Sequence, residues 1–242
     1  MTALLELRHV GRAFGSLWAV RDVSLSVGKG EVLGLIGPNG AGKSTLYNLI
    51  AGALPPSEGE ILFEDRRISG LAPYQVARAG IARTFQIPKP YRHLTVVDNV
   101  VLSALLHDKS VAAARRSAKA VLADVGLADY AEAPVNVLTA GLLKRLEVAR
   151  ALALEPRLVL FDEIMAGLTP TEVKVMTGLV ASLPARGTTV IWVEHVLYAI
   201  MSAAHRIVVL HRGELIADGP PEKIAKDPGV ITAYLGEEVS LA

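Results

Sequence analysis

The stretch Gly37-Pro38-Asn39-Gly40-Ala41-Gly42-Lys43-Ser44-Thr45 decides the fold of this chain. It matches the pattern G-x-x-x-x-G-K-[ST] and lies between a strand-like run, Glu31 to Ile36, and a helix-like run, Gly42 to Ala53. Glycines let successive backbone N–H groups approach phosphate oxygens, and the start of the following helix adds a positive dipole end. We expect Lys43 to reach the β- and γ-phosphates of a nucleotide and the Ser44 hydroxyl to ligate Mg²⁺. The whole stretch, called the phosphate loop below, is a candidate nucleotide-binding segment.

A second segment adds acidic groups to this site. The apolar run Leu158 to Phe161 ends in Asp162-Glu163. A strand that ends in an acidic residue can place a carboxylate beside the Mg²⁺ held by the phosphate loop, so Asp162 is the candidate metal ligand. Glu163 points in a different direction and is the candidate general base for the attacking water. An acidic strand end is common by itself, but combined with the phosphate loop it predicts nucleotide hydrolysis.

The composition excludes several classes of protein. Hydrophobic residues make up 51% and charged residues 20% of the 242 residues, which excludes a disordered chain. The formal net charge is +1, so no overall field attracts nucleic acid. The chain has no cysteine, which excludes disulfides and thiolate nucleophiles and agrees with a reducing compartment. No apolar run reaches the roughly 18 residues of a spanning helix, and the start lacks a secretory signal pattern, so we expect a cytoplasmic protein.

The apolar pattern predicts an α/β fold in one globular unit, residues 1–242. Short, nearly all-apolar runs are typical of strands covered on both faces in a largely parallel sheet, and the N-terminal third favours antiparallel β structure. Thr95 to Ala153 is rich in Ala, Leu, Val and Arg, which predicts a mostly helical insertion. A later helix carries Val173, Met176, Val180 and Leu183 on one face. The predicted strands are Leu4 to Val10, Val23 to Val27, Glu31 to Ile36, Ile61 to Phe63 (completing a β-helix-β unit), Leu158 to Phe161 and Thr189 to Val193, followed by a hairpin of Arg206 to Leu210 with Glu214 to Ala217.

Four further motifs identify the family that this sequence resembles. Thr84-Phe85-Gln86 follows the phosphate loop, and Leu138-Thr139-Ala140-Gly141-Leu142 precedes Asp162. Ala166-Gly-Leu-Thr169-Pro170 and Trp192-Val-Glu194-His195 come after it. In this order the motifs resemble the ATP-binding subunit of an ABC transporter over nearly the whole chain. The resemblance implies a P-loop NTPase fold, with a RecA-like core of about residues 1–86 and 155–242 and a helical lobe of about residues 87–154.

The resemblance implies roles for individual residues. Gln86 resembles the Q-loop glutamine, which touches Mg²⁺ and the attacking water. Thr139 and Gly141 belong to the signature segment, residues 138–142, which binds the γ-phosphate held by a partner subunit. His195 resembles the switch histidine that hydrogen-bonds the γ-phosphate. Gln86, Glu163 and His195 are therefore the candidate catalytic residues.

One aromatic residue near the N-terminus is a candidate contact for the adenine base. Phe14, in Arg12-Ala-Phe-Gly15, aligns with the aromatic residue that the family stacks against adenine. Such stacking supplies affinity with little base specificity. Trp18 is the alternative candidate for this role.

Two motifs depart from the family pattern. The usual signature is Leu-Ser-Gly-Gly-Gln, whereas this chain has Thr139, Ala140 and Leu142 in place of the Ser, the first Gly and the Gln. Thr139 keeps the hydroxyl group, so recognition of the γ-phosphate stays feasible. Thr169 stands in place of the D-loop aspartate, and Ile164 stands where proline is frequent. We expect slower hydrolysis, and a nucleotide-binding regulator with little turnover is the alternative.

Three segments indicate one branch of the family. Leu143 to Ala153, Met165 to Leu168 and the ending Ala233 to Gly236 are similar to branched-chain amino acid importers. The resemblance implies an ATPase that powers uptake of branched-chain or other amino acids, with transporters of urea, short amides or lipopolysaccharide as alternatives. ABC-type ATPases of DNA repair or translation need a long insertion, tandem cassettes or a basic stripe, and none is found in this sequence.

The resemblance also implies partners. Two subunits, identical or paralogous, would enclose ATP between the phosphate loop of one and the signature segment of the other. The dimer would lie on the inner face of the membrane against membrane-spanning subunits, for which the apolar residues from Ile87 to Leu94 offer a groove. A substrate-binding protein would take part indirectly, and no nucleic acid is expected. Contacts to the transported molecule lie in other chains, so this sequence leaves the substrate open.

Overall fold

The computed structural model describes residues 3–238, which form two β-sheets and the helices packed against them. The strands are β1 (Ala3–Phe14), β2 (Leu17–Gly28), β3 (Val32–Ile36), β4 (Glu58–Phe63), β5 (Arg66–Arg67), β6 (Ile81–Arg83), β7 (Leu158–Asp162), β8 (Thr189–Val193), β9 (Arg206–His211) and β10 (Glu214–Gly219). The helices are α1 (Lys43–Ile50), α2 (Pro73–Arg78), α3 (Val96–Ala104), α4 (Val111–Asp124), α5 (Ala140–Leu152), α6 (Pro170–Ser182), α7 (Leu197–Ala203), α8 (Pro221–Ile224) and α9 (Pro228–Glu238).

The N-terminal sheet is antiparallel, as the sequence predicts, with the strand order β2-β1-β4-β5. Its covered face carries Leu5, Leu7 and Ile61, which are fully buried, and partly exposed residues such as Glu6 and Leu62 alternate with them. This alternation is typical of a sheet with one solvated face. β2 brings Ala19 against the phosphate loop, because a Cβ added to Gly42 would lie 2.3 Å from the Ala19 carbonyl oxygen. The antiparallel sheet therefore closes one side of that loop.

The second sheet has the order β10-β9-β3-β8-β7-β6, and all its neighbouring strands are parallel except β9 and β10. Its strands alternate between two apolar clusters, one on each face. Val159 and Phe161 of β7 belong to one cluster, and Leu158 and Leu160 belong to the other. Coverage on both faces explains why these strands are continuous apolar runs in the sequence. The predicted parallel core is confirmed.

The carboxyl ends of these parallel strands carry the predicted functional segments. The phosphate loop follows β3, Asp162 ends β7, and Glu194-His195 follow β8. The strand register aligns Asp162 with Val193, and Val193 with Leu35. Because parallel strands end at the same edge of a sheet, the three segments meet there although the sequence separates them widely.

The predicted helical insertion is confirmed by α3, α4 and α5, which lie between Thr95 and Ala153. Hydroxyl groups cap all three: Thr95, Ser110 and Thr139 each accept a hydrogen bond from the backbone N–H three residues later. The buried side chains of these helices share one apolar cluster with Phe161 of β7. The boundaries expected for a separate helical lobe stay a prediction.

The helices and hairpin that follow also agree with the sequence pattern. The apolar face of α6 is buried at Val173, Met176 and Val180, and Leu183 is buried just beyond its end. The hairpin of β9 and β10 is antiparallel, with Glu214 opposite His211. Across residues 3–238, no helix has both the length and the apolarity needed to cross a membrane.

One connection differs from the sequence-based expectation. β3, α1 and β4 follow in the predicted order, but β4 pairs with β1 in the antiparallel sheet and not with a strand of the parallel sheet. The sequence pattern of β4 does not name its partner, and the pairing depends on contacts with a strand more than fifty residues earlier, such as Leu7 with Ile61. The chain then returns through α2 to β6, a strand of 3 residues that is too short to predict.

Candidate active site

The phosphate loop adopts a backbone that only glycine tolerates at two positions. Gly42 has a φ of 103° and Gly37 a φ of 151°. A Cβ on Gly37 would lie 2.0 Å from the Leu210 carbonyl oxygen, a distance that no real side chain adopts. Gly42 also forms the N-cap of α1 and supplies no side-chain cap, so the first N–H groups of this helix face the loop without a side-chain acceptor from the cap. This geometry suits an anion.

Lys43 lies inside the curve of the loop. Its side chain is buried, and Nζ donates hydrogen bonds to the carbonyl oxygens of Gly37 at 2.6 Å and Pro38 at 2.8 Å. A cleft of about 220 Å³ opens beside it. The cleft is lined by Ala19, Asn39, Gly40, Ala41, Gly42, Lys43, Ser44, Thr45, Glu163 and His195. The fold therefore brings two of the candidate catalytic residues to the phosphate loop.

Glu163 is in direct contact with both other candidate catalytic residues. Gln86 Nε2 donates a hydrogen bond to Glu163 Oε2 at 2.7 Å, and His195 Nε2 lies 3.0 Å from Glu163 Oε1. Glu163 has a φ of 48°, in the left-handed region that non-glycine residues seldom adopt. Its N–H donates to the Val193 carbonyl at 2.9 Å, which ties this unusual backbone to β8. Strained residues of this kind cluster at functional sites.

Asp162 ends β7 next to Glu163 and is half-buried. Burial raises the pKa of the Asp162 carboxyl, and the charge of Glu163 raises it further. Its N–H donates to the buried Thr84 hydroxyl at 3.1 Å, which fixes the strand end against the segment that leads to Gln86. Tyr47 of α1 supports the same place, because its hydroxyl lies 2.7 Å from the Thr84 carbonyl oxygen. The buried residues Tyr47 and Thr84 thus connect three parts of the site by hydrogen bonds: the helix after the phosphate loop, the end of β7 at Asp162, and the segment that leads to Gln86.

The signature segment lies away from this cleft in the same chain. Thr139 is the N-cap of α5, and its hydroxyl accepts a hydrogen bond from the Leu142 N–H at 3.4 Å. Gly141 is buried against the segment after β7, where a Cβ would lie 3.1 Å from Leu168 Cδ2. Neither Thr139 nor Gly141 lines the cleft around Lys43. One chain thus does not bring the two predicted phosphate-binding segments together.

Thr169, which departs from the family pattern, has a defined structural role. It is the N-cap of α6 and forms a capping box with Glu172, whose carboxylate accepts hydrogen bonds from the Thr169 N–H and hydroxyl, both at 2.9 Å. These hydrogen bonds lower the pKa of Glu172. Thr169 therefore acts as the N-cap that starts α6 directly after Ala166 to Leu168. Aspartate, the residue expected at this position, is also a favourable N-cap.

The aromatic candidates for adenine stacking have different surroundings. Phe14 is exposed, and the guanidinium of Arg12 lies 4.8 Å from its ring centroid. Trp18 is half-buried against Gly11, where a Cβ would lie 2.9 Å from Trp18 Cζ3. Phe14 thus has the more accessible ring, and its contact with adenine stays a prediction.

Two buried charged residues at this site, Glu194 and Lys144, were not predicted from the sequence. Glu194 is 2% exposed and accepts hydrogen bonds from the N–H groups of Met165 at 2.7 Å and His195 at 3.2 Å. Burial raises the pKa of its carboxyl, and these hydrogen bonds oppose the rise. Lys144 of α5 is the second. Two signals in the sequence could have revealed them. Glu194 directly precedes His195, and Lys144 follows Gly141 by three residues, a spacing that places both on one side of a helix.

Comparison with known proteins gives the family. The family model described as "ABC transporter" matches residues 20–166, and the model "Branched-chain amino acid ATP-binding cassette transporter" matches residues 214–240. This chain belongs to the ABC transporter ATP-binding family. It is an ABC ATPase, an enzyme that hydrolyses ATP.

Individual relatives and solved structures support the assignment. The chain is 37% identical to the high-affinity branched-chain amino acid transport ATP-binding protein LivG of Escherichia coli, over 97% of this chain and 98% of that protein. It is 33% identical to the lipopolysaccharide export system ATP-binding protein LptB of Acidithiobacillus ferridurans, over 100% of both. The ADP conformation of an ATP-binding cassette of an ABC transporter superposes with a TM-score of 0.88 at 30% identity, covering 98% of this chain and 100% of that chain. A dimeric, post-hydrolysis cassette bound to ADP and Pi superposes with a TM-score of 0.82 at 27% identity, covering 90% and 98%.

Proposed function

We propose that this ABC ATPase powers an importer of branched-chain or other amino acids. The observation that carries the hydrolytic part is the contact of Glu163 with Gln86 and His195 beside the phosphate loop. The identity with LivG, a branched-chain amino acid transport protein, supports the substrate class. In this role the chain is bound peripherally on the inner face of the membrane through membrane-spanning subunits, and a substrate-binding protein delivers the amino acid to them.

The residues around the cleft divide the work of hydrolysis. The phosphate loop and Lys43 bind the phosphates and stabilise the charge that develops on the transferred group. The Glu163 carboxylate accepts a proton from the attacking water, as a general base. The Gln86 amide and the His195 imidazole hold that carboxylate in place, at 2.7 Å and 3.0 Å. Phe14 offers its exposed ring to adenine.

A magnesium ion fits the donor groups at this edge of the sheet. The Ser44 hydroxyl, the Asp162 carboxylate and the Gln86 amide oxygen are all hard oxygen donors, which Mg²⁺ prefers. Partial burial and the adjacent charge of Glu163 raise the pKa of Asp162, and a cation nearby would offset both effects. When bound, the ion neutralises charge on the β- and γ-phosphates.

A second subunit completes the site in this proposal. The cleft of about 220 Å³ is smaller than the roughly 300–1,000 Å³ of a typical ligand pocket, so one chain encloses a nucleotide incompletely. The exposed Thr139 hydroxyl and the start of α5 lie elsewhere on the chain, where they suit contact with a phosphate bound to a partner. The dimeric relative with ADP and Pi supports this arrangement, with an identical or paralogous subunit as partner.

An apolar groove offers a place for a membrane-spanning subunit. The groove has a volume of about 460 Å³ and lies between α2, α3 and the segment after Gln86. Tyr74, Tyr91, Leu102 and Leu105 line it. All four side chains are exposed, although they are large and hydrophobic. Exposed apolar clusters of this kind mark interaction sites. We assign this groove to a segment of the membrane partner.

Lipopolysaccharide export is the second candidate function. The identity of 33% to LptB over both full lengths favours it, and it uses the same hydrolytic residues. Uptake of labelled leucine by cells in which wild-type or Glu163→Gln protein is the only copy separates the two functions. Amino-acid import predicts uptake only with the wild-type protein, whereas equal uptake from both cell types overturns it.

Phosphate release from Mg-ATP by the purified protein tests the mechanism. The expected result is turnover per subunit that rises with protein concentration, because the dimer is the active form, and that is lost in Glu163→Gln while ATP binding remains. Turnover that is independent of concentration would contradict the dimer. Equal release from Glu163→Gln would contradict the general base, and tight binding without turnover would favour the nucleotide-binding regulator.

A further inference from the structure

Three side chains on one stripe of α5 hold the main chain that follows Gln86. They are Lys144, Glu147 and Arg150, spaced three residues apart, and we call them the α5 clamp. Lys144 Nζ donates to the Gln86 carbonyl oxygen at 2.7 Å. Glu147 Oε1 accepts from the Lys89 N–H at 3.1 Å, and Arg150 Nη1 donates to the Lys89 carbonyl oxygen at 2.9 Å. Residues 86–89 are therefore bonded to α5 at both ends.

Lys144 makes a further contact that the other two members of the clamp do not share. Its Nζ also donates to the main-chain carbonyl oxygen of Glu163, at 2.8 Å. One ammonium group thus joins the backbone of Gln86 to the backbone of Glu163, whose side chains bond to each other at 2.7 Å. Lys144 links these two residues directly.

Burial of this lysine argues for a specific role. The Lys144 side chain is 9% exposed, and removal of an ammonium group from water is costly unless it is hydrogen-bonded. Here two carbonyl dipoles compensate the charge, and hydrogen bonds to a charged group are stronger than those between neutral groups. Glu163 has the left-handed φ of 48°, a conformation that persists only where neighbouring groups fix it. The Lys144 bond to the Glu163 carbonyl is one of the contacts that fix it.

We infer that Lys144 is a positioning residue for the general base of its own chain. It acts through the carbonyl groups of Gln86 and Glu163, and it does not line the cleft around Lys43. This inference rests on the proposed role of Glu163. Thr139 caps α5, and Lys144 lies five residues further along, roughly 7.5 Å along the helix axis. A shift of α5 would therefore be transmitted directly to Glu163. Contact of the signature segment with a partner's phosphate would then be coupled to the carboxylate that activates water in the other site.

Steady-state kinetics of two Lys144 variants test the inference. Lys144→Met removes the ammonium and keeps an unbranched apolar stem out to the ε position, whereas Lys144→Arg keeps a positive charge and hydrogen-bond donors. Lys174→Met is the matched control, because it removes an exposed ammonium from α6. We expect Lys144→Met to lower kcat by at least about tenfold with KM for ATP within about threefold of the wild type, and Lys144→Arg to restore kcat to within about threefold. A kcat of Lys144→Met within about twofold of the wild type would overturn the inference, as would an equal loss in the arginine variant.

Hydrogen exchange of the same proteins gives a measurement that needs no turnover. We expect the amides of residues 84–91 and 162–168 to exchange faster in Lys144→Met than in Lys144→Arg or Lys174→Met, with β8 unchanged. Unchanged exchange in both segments would overturn the inference. Absence of turnover in the wild type would count against the proposed function, and exchange would still decide the role of Lys144. Should Lys144→Met not fold, Lys144→Gln, which keeps a polar group at the buried position, takes its place with the same expected outcomes.

Discussion

The phosphate loop and the N-terminal ends of α5 and α6 differ in how they tolerate sequence change. The phosphate loop matches its pattern fully, and a Cβ on Gly37 or Gly42 would lie 2.0 Å or 2.3 Å from a backbone carbonyl oxygen. At the two helix ends, Thr139 and Thr169 replace the family residues and act as N-caps. Several residue types can cap a helix, whereas only glycine fits against those carbonyls. A position where only the glycine backbone fits therefore accepts fewer residue types than a helix N-cap, where any of several side chains can accept the hydrogen bond.

Lys43→Ala is expected to have the largest effect. The substitution removes the charge that stabilises the transferred phosphate, and loss of one such group lowers kcat by roughly 10²–10³. Phosphate release and ATP binding, measured with the purified protein, check this expectation. Unchanged ATP affinity and hydrolysis would show that the phosphate site lies elsewhere, and would remove the basis of the comparison.

Two glycine substitutions test the comparison directly. Gly42→Ala forces a left-handed residue against the Ala19 carbonyl, so we expect a loss of about 2–3 kcal/mol in the free energy of unfolding, together with loss of ATP binding. Gly141→Ala meets the flexible ends of Leu168, at 3.1 Å, and Glu172, at 3.2 Å, but alanine favours a helix by about 1 kcal/mol over glycine. We therefore expect a net loss below about 1 kcal/mol. Urea unfolding of both variants measures the difference. Equal destabilisation would contradict the distinction between the two regions.

Substitutions at Thr169 sharpen the comparison at the helix end. Thr169→Ala removes the capping box with Glu172, and we expect a loss of about 1 kcal/mol in stability. Thr169→Asp keeps an N-cap acceptor, so its stability should stay within about 0.5 kcal/mol of the wild type. Thermal or urea unfolding provides the measurement. If aspartate destabilised the protein as much as alanine, capping would not explain why threonine is accepted here.

The smallest expected effect is a pH dependence that comes from Glu194. Burial raises the pKa of this carboxyl, so the folded state binds its proton more tightly than the unfolded state does. The stability contribution of this group therefore falls as pH rises above its ordinary value of 4.5. Glu194→Gln does not titrate, so the wild type should lose stability relative to this variant as pH rises above 4.5. The measurement is how the difference in free energy of unfolding between the two proteins changes with pH. The difference at a single pH also includes the hydrogen bonds that the substitution alters. A pH-independent difference would contradict the shift.

The sequence predicts the local parts of this fold well. The apolar strands, the face of α6 and the hairpin of β9 and β10 are confirmed, because each depends on periodicity and turn residues within a short segment. The sequence did not predict which of the two sheets β4 belongs to, because its partner strand is β1, which is far away in the chain. The loop pattern and the acidic end of the apolar strand predict the phosphate loop and Glu163, and the cleft brings them together.

The sequence by itself determined the chemical groups of the site: a glycine loop that admits phosphate, a lysine, adjacent carboxylates, a glutamine and a histidine. Local patterns suffice for this, since each motif is a short run with its own backbone requirement. Only the tertiary structure decided which groups touch. The parallel sheet places Gln86, Glu163 and His195 within hydrogen-bonding distance, and it buries Lys144 between two carbonyl oxygens of segments that no periodicity connects. Contacts across such separations depend on how strands align at one edge of a sheet, which is a property of the whole chain.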